Sequence, residues 1–178
     1  MITNHNEHVF SITNILDTEI CKDCIEVAEE QSLFPINKKE VPKDLQKSFS
    51  NRLFITSKEL SEVIWKNIYD FVPKEYNCWR VSGINENFRF YKYLTGQEFT
   101  MHQDADFHKT EFEKSYYSLL IYLNDNFKGG ETKFENLTVK PVHGSALIFP
   151  HVLFHSGSIV TSGTKYILRS DVLYKKHR

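Results

Sequence analysis

The second half of the chain alternates short apolar runs with turn residues at regular intervals. The runs cover residues 88–94, 117–123, 131–135, 145–149 and 166–174. Each is too short for a typical helix, and each is bounded by Gly, Pro, Asn or Asp, residues that favour turns. Short strands at this spacing predict an antiparallel sandwich or barrel, in which distant parts of the chain pair with one another.

The first half contains two helical patterns instead. Asp17 can cap a helix of about sixteen residues, and Ser57 can cap a second helix that Pro73 ends. The predicted buried faces are Ile20, Cys21, Cys24, Val27 and Ala28 in the first helix, and Leu60, Val63, Ile64, Ile68 and Phe71 in the second. A chain of 178 residues can bury one sizeable core. We therefore predict a single α+β domain, residues 1–178, with a helical part over about 1–75 packed on a β-sandwich over about 76–178.

Charge and cysteine content exclude several classes of protein. The net charge is −1, so no basic field draws the chain to nucleic acid or to an anionic membrane. Residues 1–8 are polar, and no apolar stretch approaches the length of a membrane span. Cys21 and Cys24 form a CxxC inside a helical pattern, which favours reduced helix residues over a redox or zinc motif. We expect a cytoplasmic protein without nucleic-acid or membrane partners, and the sequence leaves the oligomeric state open.

Three side chains could form one metal site. His102 and Asp104 are two residues apart, so on an extended segment both point to the same face. His155 would reach that face from a distant strand. Two imidazoles and one carboxylate on one face of a metal are typical of non-haem Fe(II) oxygenases, although these donors also suit Mn(II) and Zn(II). His151 shares the strand face of His155 and stays open as an alternative ligand or as a partner behind the ligands.

Two cations on the last strand could bind an anionic cosubstrate. Lys165, Arg169 and Asp171 have the same strand parity and are predicted to face the interior. A buried cation is costly without an anionic partner, and a cosubstrate carboxylate would supply one. Alternatively, Arg169 and Asp171 pair with each other. Tyr91 and Tyr93 share one face of a neighbouring strand, and either hydroxyl could reach the same carboxylate.

A polar, irregular segment over residues 35–52 separates the two helical patterns. A connection of this length is either a lid or binding loop, or simply a long link between helices. Asn51 and Arg52 end this segment and are candidate substrate contacts.

Several motifs in the second half resemble a known family. They are FYKYLTGQEFTMHQD, which ends at Asp104; IYLNDNFKGGETKF, residues 121–134; VKPVHGSALIF, residues 139–149; and His155 followed by Lys165 in GTKY. In this order they resemble the catalytic domain of prolyl 4-hydroxylase-type 2-oxoglutarate/Fe(II)-dependent dioxygenases. The resemblance implies a double-stranded β-helix (jelly-roll, cupin-like) core, flanked here by the N-terminal helices.

The resemblance also implies roles for individual residues. His102, Asp104 and His155 would bind Fe(II). Lys165 would anchor 2-oxoglutarate with Tyr93 as its partner. Some 2-oxoglutarate enzymes place an arginine near position 169, so Arg169 is an alternative anchor.

The implied activity is hydroxylation of an unactivated C–H bond. The substrate would be a peptidyl residue, an amino acid or a small metabolite. The reaction would use 2-oxoglutarate and O2, with ascorbate as a candidate reductant, and would release succinate and CO2. The alternative is a catalytically silent cupin-like protein that binds a metal or a small ligand.

Overall fold

The computed structural model describes residues 1–31 and 51–176, and the side chains of the second range from residue 53 onward. These residues form two helices and sixteen strands. In chain order they are β1 (Ile2–Asn4), β2 (Phe10–Ile12), α1 (Thr18–Gln31), β3 (Asn51–Thr56), α2 (Lys58–Ile68), β4 (Glu75–Tyr76), β5 (Trp79–Ile84), β6 (Asn87–Leu94), β7 (Phe99–His102), β8 (His108–Thr110), β9 (Glu113–Tyr122), β10 (Lys128–Gly129), β11 (Thr132–Phe134), β12 (Leu137–Val139), β13 (Ala146–Pro150), β14 (His155–Gly157), β15 (Val160–Ser162) and β16 (Thr164–Lys176).

Most strands of the described chain belong to two antiparallel sheets. The major sheet has ten strands and runs β1-β2-β13-β9-β16, after which β16 pairs with β6 along its first half and with β5 along its second half. β3 pairs with β6, β4 with β5, and β8 with β9. The minor sheet has four strands in the order β12-β11-β14-β7, and β10 and β15 form a separate ribbon. This arrangement confirms the predicted double-stranded β-helix with N-terminal helices.

The two-residue period of the strands divides the apolar side chains between two clusters. On β9, Leu119 and Ile121 point towards the helices, where they pack with Ile64 of α2. Leu120 and Tyr122 point the other way, into the space between the major and minor sheets. Successive residues of a strand face opposite sides of a sheet, so one strand contributes to both clusters. The second cluster encloses the site described below.

Both helices begin at their predicted caps. The Asp17 carboxylate accepts a hydrogen bond from Ile20 N (2.8 Å), and the Ser57 hydroxyl accepts one from Leu60 N (3.2 Å). These side chains satisfy backbone donors that a helix start leaves unpaired.

The predicted helix faces are correct at their centres and wrong at their margins. Cys21, Cys24, Ala28, Ile64 and Ile68 are buried in the cluster beneath the helices. The predicted face residues Val27, Val63 and Phe71 are instead 37%, 39% and 40% exposed. The helices rest on a sheet that covers only a narrow stripe of each, and Phe71 lies beyond the end of α2.

The N-terminal part also supplies strands that the sequence pattern did not predict. β2 extends the major sheet by pairing with β13, where Ile12 lies opposite Ala146. β3 begins inside the predicted 35–52 segment and pairs with β6. The remainder of that segment lies outside the described residues. A three-residue strand such as β2 is too short to show a period of its own.

Cys21 and Cys24 are free thiols, as predicted, and Cys78 is also a free thiol. Burial raises the pKa of Cys21 to about 12 and that of Cys24 to about 11, so both are unreactive core residues. Within the described ranges, no helix has the length and apolar character needed to cross a membrane.

Gly144 lies in close contact with the backbone of the N-terminal segment, and a substitution there tests that contact. Its φ is +66°, and a Cβ at this position would lie 2.3 Å from the Leu16 carbonyl oxygen. We expect Gly144→Ala to lower the free energy of unfolding by about 2 kcal/mol or more in urea titrations. Alanine is strained at a positive φ, and its Cβ would also clash with the Leu16 carbonyl oxygen. Gly96 also has a positive φ (+87°) but open space around it, so Gly96→Ala is the matched control. Equal losses in the two variants would contradict the predicted clash.

Candidate metal and cosubstrate site

The pairing of β7 with β14 brings the two predicted histidine ligands together. His102 ends β7 and His155 begins β14, and the two residues lie opposite each other in the antiparallel register. Asp104 follows β7 on an irregular segment, where its backbone N–H donates to the His151 carbonyl oxygen (3.2 Å). A local motif and a residue from a distant strand therefore meet at one end of the minor sheet.

The three predicted ligands form a compact donor group. One Asp104 oxygen lies 3.6 Å from His102 Nε2, and the other lies 3.6 Å from His155 Nε2. One donor atom from each residue fits within 4.8 Å of the other two, and this is the cluster of metal-binding type found in residues 1–31 and 51–176. Two imidazole nitrogens and a carboxylate oxygen at this separation can hold a single divalent ion and leave its other positions open.

Backbone carbonyls fix the orientation of both imidazole rings. His102 Nδ1 lies 2.8 Å from the Thr100 oxygen, and His155 Nδ1 lies 3.0 Å from the Leu153 oxygen. A carbonyl oxygen only accepts, so each Nδ1 carries the ring proton and each Nε2 keeps a lone pair. Those lone pairs face Asp104, the arrangement expected of histidines that bind a metal through Nε2.

A chain of hydrogen bonds supports the Asp104 carboxylate from behind. The Ser118 hydroxyl donates to Asp104, so the Ser118 oxygen accepts from His151 Nδ1 (2.8 Å). His151 Nε2 then accepts from the Ser115 hydroxyl (2.8 Å), and Ser115 accepts from Phe107 N (2.7 Å). His151 therefore lies behind the donor group rather than in it.

Burial and nearby charge favour an ionised Asp104 and a neutral His155. Burial alone would raise the pKa of Asp104, but its interactions with the His102 and His155 imidazoles and with the Ser118 hydroxyl outweigh burial and lower the pKa. Burial lowers the pKa of His155, although Asp104 opposes this, so the neutral ring is favoured. Burial likewise lowers the pKa of His151, which suits its role as a neutral acceptor from Ser115.

Arg169 contacts the same carboxylate from β16. Its Nη2 lies 3.1 Å from an Asp104 oxygen and 3.2 Å from an Asp171 oxygen. The predicted alternative pairing with Asp171 is therefore present, and it is shared with Asp104. The Arg169 Nε–H is buried without a hydrogen-bond partner among the described residues.

Lys165 is buried at the other end of the same strand face, with 2% of its surface exposed. Its ammonium donates to the Gly130 carbonyl oxygen (2.5 Å) and lies 5.5 Å and 5.7 Å from the ring centroids of Tyr93 and Tyr122. It forms no ion pair with any side chain that the structure describes. Burial lowers the pKa of Lys165 to about 7, and the charge of Glu131 only partly opposes this.

One cavity of about 310 Å³ connects these groups. Its lining contains the donor group His102, Asp104 and His155, the cations Arg89, Lys165 and Arg169, and the aromatic residues Phe54, Tyr91, Tyr93 and Phe99. Tyr91 and Tyr93 are stacked with ring centroids 6.2 Å apart. The predicted metal, cation and tyrosine residues therefore all line a single space.

Two predicted substrate contacts cannot be placed in the site, and two residues of the site were not predicted. The side chains of Asn51 and Arg52, the candidate substrate contacts, lie outside the described residues. Arg89 was missed, although it has the strand parity of Tyr91 and Tyr93 on β6 and could have been found from that alternation. Ser118 was also missed, although it precedes the inward-facing Leu120 of β9 by two residues.

Comparison with known proteins agrees with this geometry. The family model of the 2OG-Fe(II) oxygenase superfamily matches residues 88–170, which span the cavity. A PKHD-type hydroxylase of Prochlorococcus marinus is 28% identical over 168 residues, covering 86% of this chain and 72% of the relative.

Solved structures match the fold at low sequence identity. A viral collagen prolyl hydroxylase from Paramecium bursaria Chlorella virus-1, in complex with 2OG, matches with a TM-score of 0.71 and 22% identity over 96% of this chain and 97% of the other. A prolyl hydroxylase from Trichoplax adhaerens, in complex with a hypoxia inducible factor peptide fragment, matches with a TM-score of 0.62 and 12% identity over 94% and 84%. These matches show the same double-stranded β-helix.

Residues 88–170 match the family model of the 2OG-Fe(II) oxygenase superfamily, and the relatives include a PKHD-type hydroxylase, in agreement with the resemblance of the sequence motifs. These matches support a 2-oxoglutarate-dependent dioxygenase with Fe(II) as cofactor and 2-oxoglutarate as cosubstrate. The His-Asp-His group could bind the iron.

The hydrogen-bond chain behind Asp104 predicts a specific loss on mutation. Ser118→Ala should weaken Mn(II) binding by about 10- to 100-fold, because the carboxylate loses the group that orients it. Mn(II) is a suitable probe, and its affinity can be measured by electron paramagnetic resonance.

The control for this prediction lies on β16. Ser170 is equally buried, but it donates to the Asn85 carbonyl oxygen on the opposite side of the sheet. Ser170→Ala should lose stability without losing Mn(II) affinity. Wild-type Mn(II) affinity in Ser118→Ala would contradict the orienting role.

Proposed function

We propose that the protein hydroxylates an unactivated C–H bond of a peptidyl residue, an amino acid or a small metabolite. One observation carries the proposal: a His-Asp-His donor group and a buried lysine, without an ion-pair partner among the described residues, line the same cavity. A metal donor group with open positions suits O2 chemistry, and a buried ammonium without a carboxylate suits an anionic cosubstrate. Either feature alone is compatible with many functions. Together they supply a metal site and an anion site in one cavity, as a hydroxylation that uses O2 and an anionic cosubstrate requires.

We propose His102, Asp104 and His155 as the Fe(II) ligands. When bound, the iron would activate O2, so that one oxygen atom converts a substrate C–H into C–OH and the other enters succinate as 2-oxoglutarate loses CO2. The protein's own contribution is to hold the three donors rigid through the carbonyls of Thr100 and Leu153 and through Ser118. Ascorbate is proposed only as a reductant that keeps the iron in its ferrous state.

We propose Lys165, rather than Arg169, as the anchor of 2-oxoglutarate. The Arg169 Nη2 already contacts the carboxylates of Asp104 and Asp171. The Lys165 ammonium has three donors, and its contact within the described chain is the Gly130 carbonyl. A carboxylate beside Lys165 would offset the cost of burying its charge, and Tyr93 lies directly opposite it on β6.

The aromatic lining of the cavity has a proposed protective role. Tyr91, Phe99 and Leu120 line the cavity that also contains the donor group and Lys165. Such a lining limits the water that reaches a reactive oxidant and strengthens the charge interactions of the cosubstrate.

The compartment and the partners are also proposals. Free thiols at Cys21, Cys24 and Cys78 support a reducing compartment, and we propose the cytoplasm. A relative of the same fold was solved with a peptide, which supports a peptide as one candidate substrate class.

The proposed activity can be tested without a known substrate. Protein supplied with Fe(II), 2-oxoglutarate, ascorbate and O2 should produce succinate by uncoupled turnover, and anaerobic addition of Fe(II) and 2-oxoglutarate should give a weak visible absorption band. His102→Ala should abolish both signals.

A surface histidine provides the matched control for that experiment. His108 is exposed and pairs with Asp106 outside the cavity, so His108→Ala should retain both signals. Absence of succinate and of the visible band in wild-type protein would refute the enzyme assignment. It would leave a silent metal- or ligand-binding protein as the alternative.

The pKa of Lys165 predicts how 2-oxoglutarate binding depends on pH. The ligand needs the protonated ammonium, and the pKa of Lys165 in the free protein is about 7. The affinity for 2-oxoglutarate, measured by calorimetry with Mn(II), should therefore fall about tenfold per pH unit above 7. Lys165→Arg keeps its charge over this range and should remove that dependence.

Variants without a charge test the anchor itself. Lys165→Met should weaken 2-oxoglutarate binding by about 10- to 100-fold, the loss expected when a charged hydrogen bond is removed. If Lys165→Met keeps its affinity while Arg169→Met loses it, the anchor is Arg169.

A further inference from the structure

The β6–β16 pair forms a ladder of facing residues along the cavity. Lys165 lies opposite Tyr93, and two residues further along each strand Ile167 lies opposite Tyr91. Strands rise about 3.3 Å per residue, so the ladder reaches its next step, at Arg169, roughly 13 Å from Lys165. The two ends of the ladder are therefore separate places within one cavity.

Two arginines occupy the end of the ladder that is remote from Lys165. Arg169 lies directly opposite Arg89, and both line the cavity. Like charges opposite each other on antiparallel strands destabilise a sheet. Arg89 forms no hydrogen bond or ion pair with a side chain in the described part of the chain, and Arg169 retains a buried Nε–H without a partner.

The nearby carboxylates neutralise this end of the cavity only in part. Asp171 is buried and pairs with Arg169, and the charge of Arg89 acts on it from a greater distance. Asp104 is shared between Arg169 and the metal position. With Fe(II) and doubly charged 2-oxoglutarate bound, Arg89, Lys165, Arg169 and the iron carry one more positive charge than Asp104, Asp171 and the cosubstrate carry negative.

We propose that Arg89 and the Nε–H of Arg169 form a subsite for a carboxylate of the substrate. The inference rests on the proposed hydroxylase function and specifies its substrate as an anion. The carboxylate would lie beyond Tyr91, while 2-oxoglutarate lies at Lys165. One carboxylate matches the charge that remains, and guanidinium groups bind carboxylates through paired N–H donors.

Phe54 would favour a ligand that carries an apolar group next to its carboxylate. It lies opposite Arg89 on β3, lines the cavity and is 67% exposed. An exposed phenyl ring beside the Arg89 guanidinium offers an apolar surface adjoining a positive charge. The ligand chemistry that fits is a carboxylate attached to an apolar group, on either a free acid or a peptide.

The direct test compares an acid with its neutral isostere. Phenylacetate and phenylacetamide are titrated by calorimetry into protein loaded with Mn(II) and saturating 2-oxoglutarate. The acid should bind at least about tenfold more tightly than the amide, since only the acid pairs with Arg89. Arg89→Met should remove this preference, and Arg89→Lys should retain part of it because the charge remains.

An arginine outside the cavity supplies the control. Arg80 is exposed on β5 and does not line the cavity, so Arg80→Met should bind both compounds as the wild type does. Equal affinity of the wild type for acid and amide would overturn the proposal. An unchanged preference in Arg89→Met would overturn it as well.

Turnover measurements distinguish a free acid from a peptide as the molecule that carries the carboxylate. Succinate production is measured with free carboxylic acids and amino acids, with capped peptides that carry one acidic side chain, and with the corresponding amides. Stimulation by either acidic set above its amides supports the subsite and names the source. Equal stimulation by acids and amides contradicts it. If 2-oxoglutarate itself fails to bind the Mn(II)-loaded protein, the proposed function fails instead, so the two failures are distinguishable.

Discussion

The buried carboxylate of Asp104 is the point at which the metal position, the two sheets and the buried cations meet. His102 and His155 approach it from the minor sheet, whereas Arg169 and Ser118 approach it from the major sheet. A buried carboxylate is costly unless charges and hydrogen bonds compensate it, and here both sheets supply them. Asp104 therefore connects the two sheets, in addition to belonging to the candidate metal site.

The two buried cations on β16, Lys165 and Arg169, differ in how their charges are compensated. Arg169 is compensated within the protein by Asp104 and Asp171, whereas Lys165 has a carbonyl and two aromatic rings but no carboxylate among the described residues. A protein that buries a cation in this way loses stability that a bound anion can restore. The contrast between the two residues, four positions apart on one strand, supports the proposal that the cosubstrate binds at the Lys165 end of the cavity and the substrate at the other end.

The features that could be predicted from the sequence are those that local patterns and motifs determine. The caps at Asp17 and Ser57 and the longer strands of the second half follow from local spacing. The candidate donor group His102, Asp104 and His155 was predicted from spacing together with the order of the family-like motifs. Strand parity correctly placed Lys165 and Arg169 on one face. Two further residues, Arg89 and Ser118, obey the same parity, but nothing in a single strand indicates which inward residues will meet a metal or a ligand.

The remaining features depend on long-range pairing. The register that sets His155 opposite His102 joins strands with about fifty residues between them, and neither strand is long enough to specify its partner. β2 and β3 join the major sheet by pairing with β13 and β6, which lie further along the chain. Exposure of Val27 and Val63 reflects how narrowly the sheet covers each helix, which helical periodicity cannot reveal.

We propose that one cavity holds a metal at the His-Asp-His group and 2-oxoglutarate between that metal and Lys165. A crystal structure of the protein with Mn(II) and 2-oxoglutarate would show both positions. We expect a metal ligated by His102 Nε2, Asp104 and His155 Nε2, with the distal carboxylate of 2-oxoglutarate within hydrogen-bond distance of Lys165 Nζ. A metal bound elsewhere, or a distal carboxylate held by Arg89 and Arg169 instead of Lys165, would contradict it.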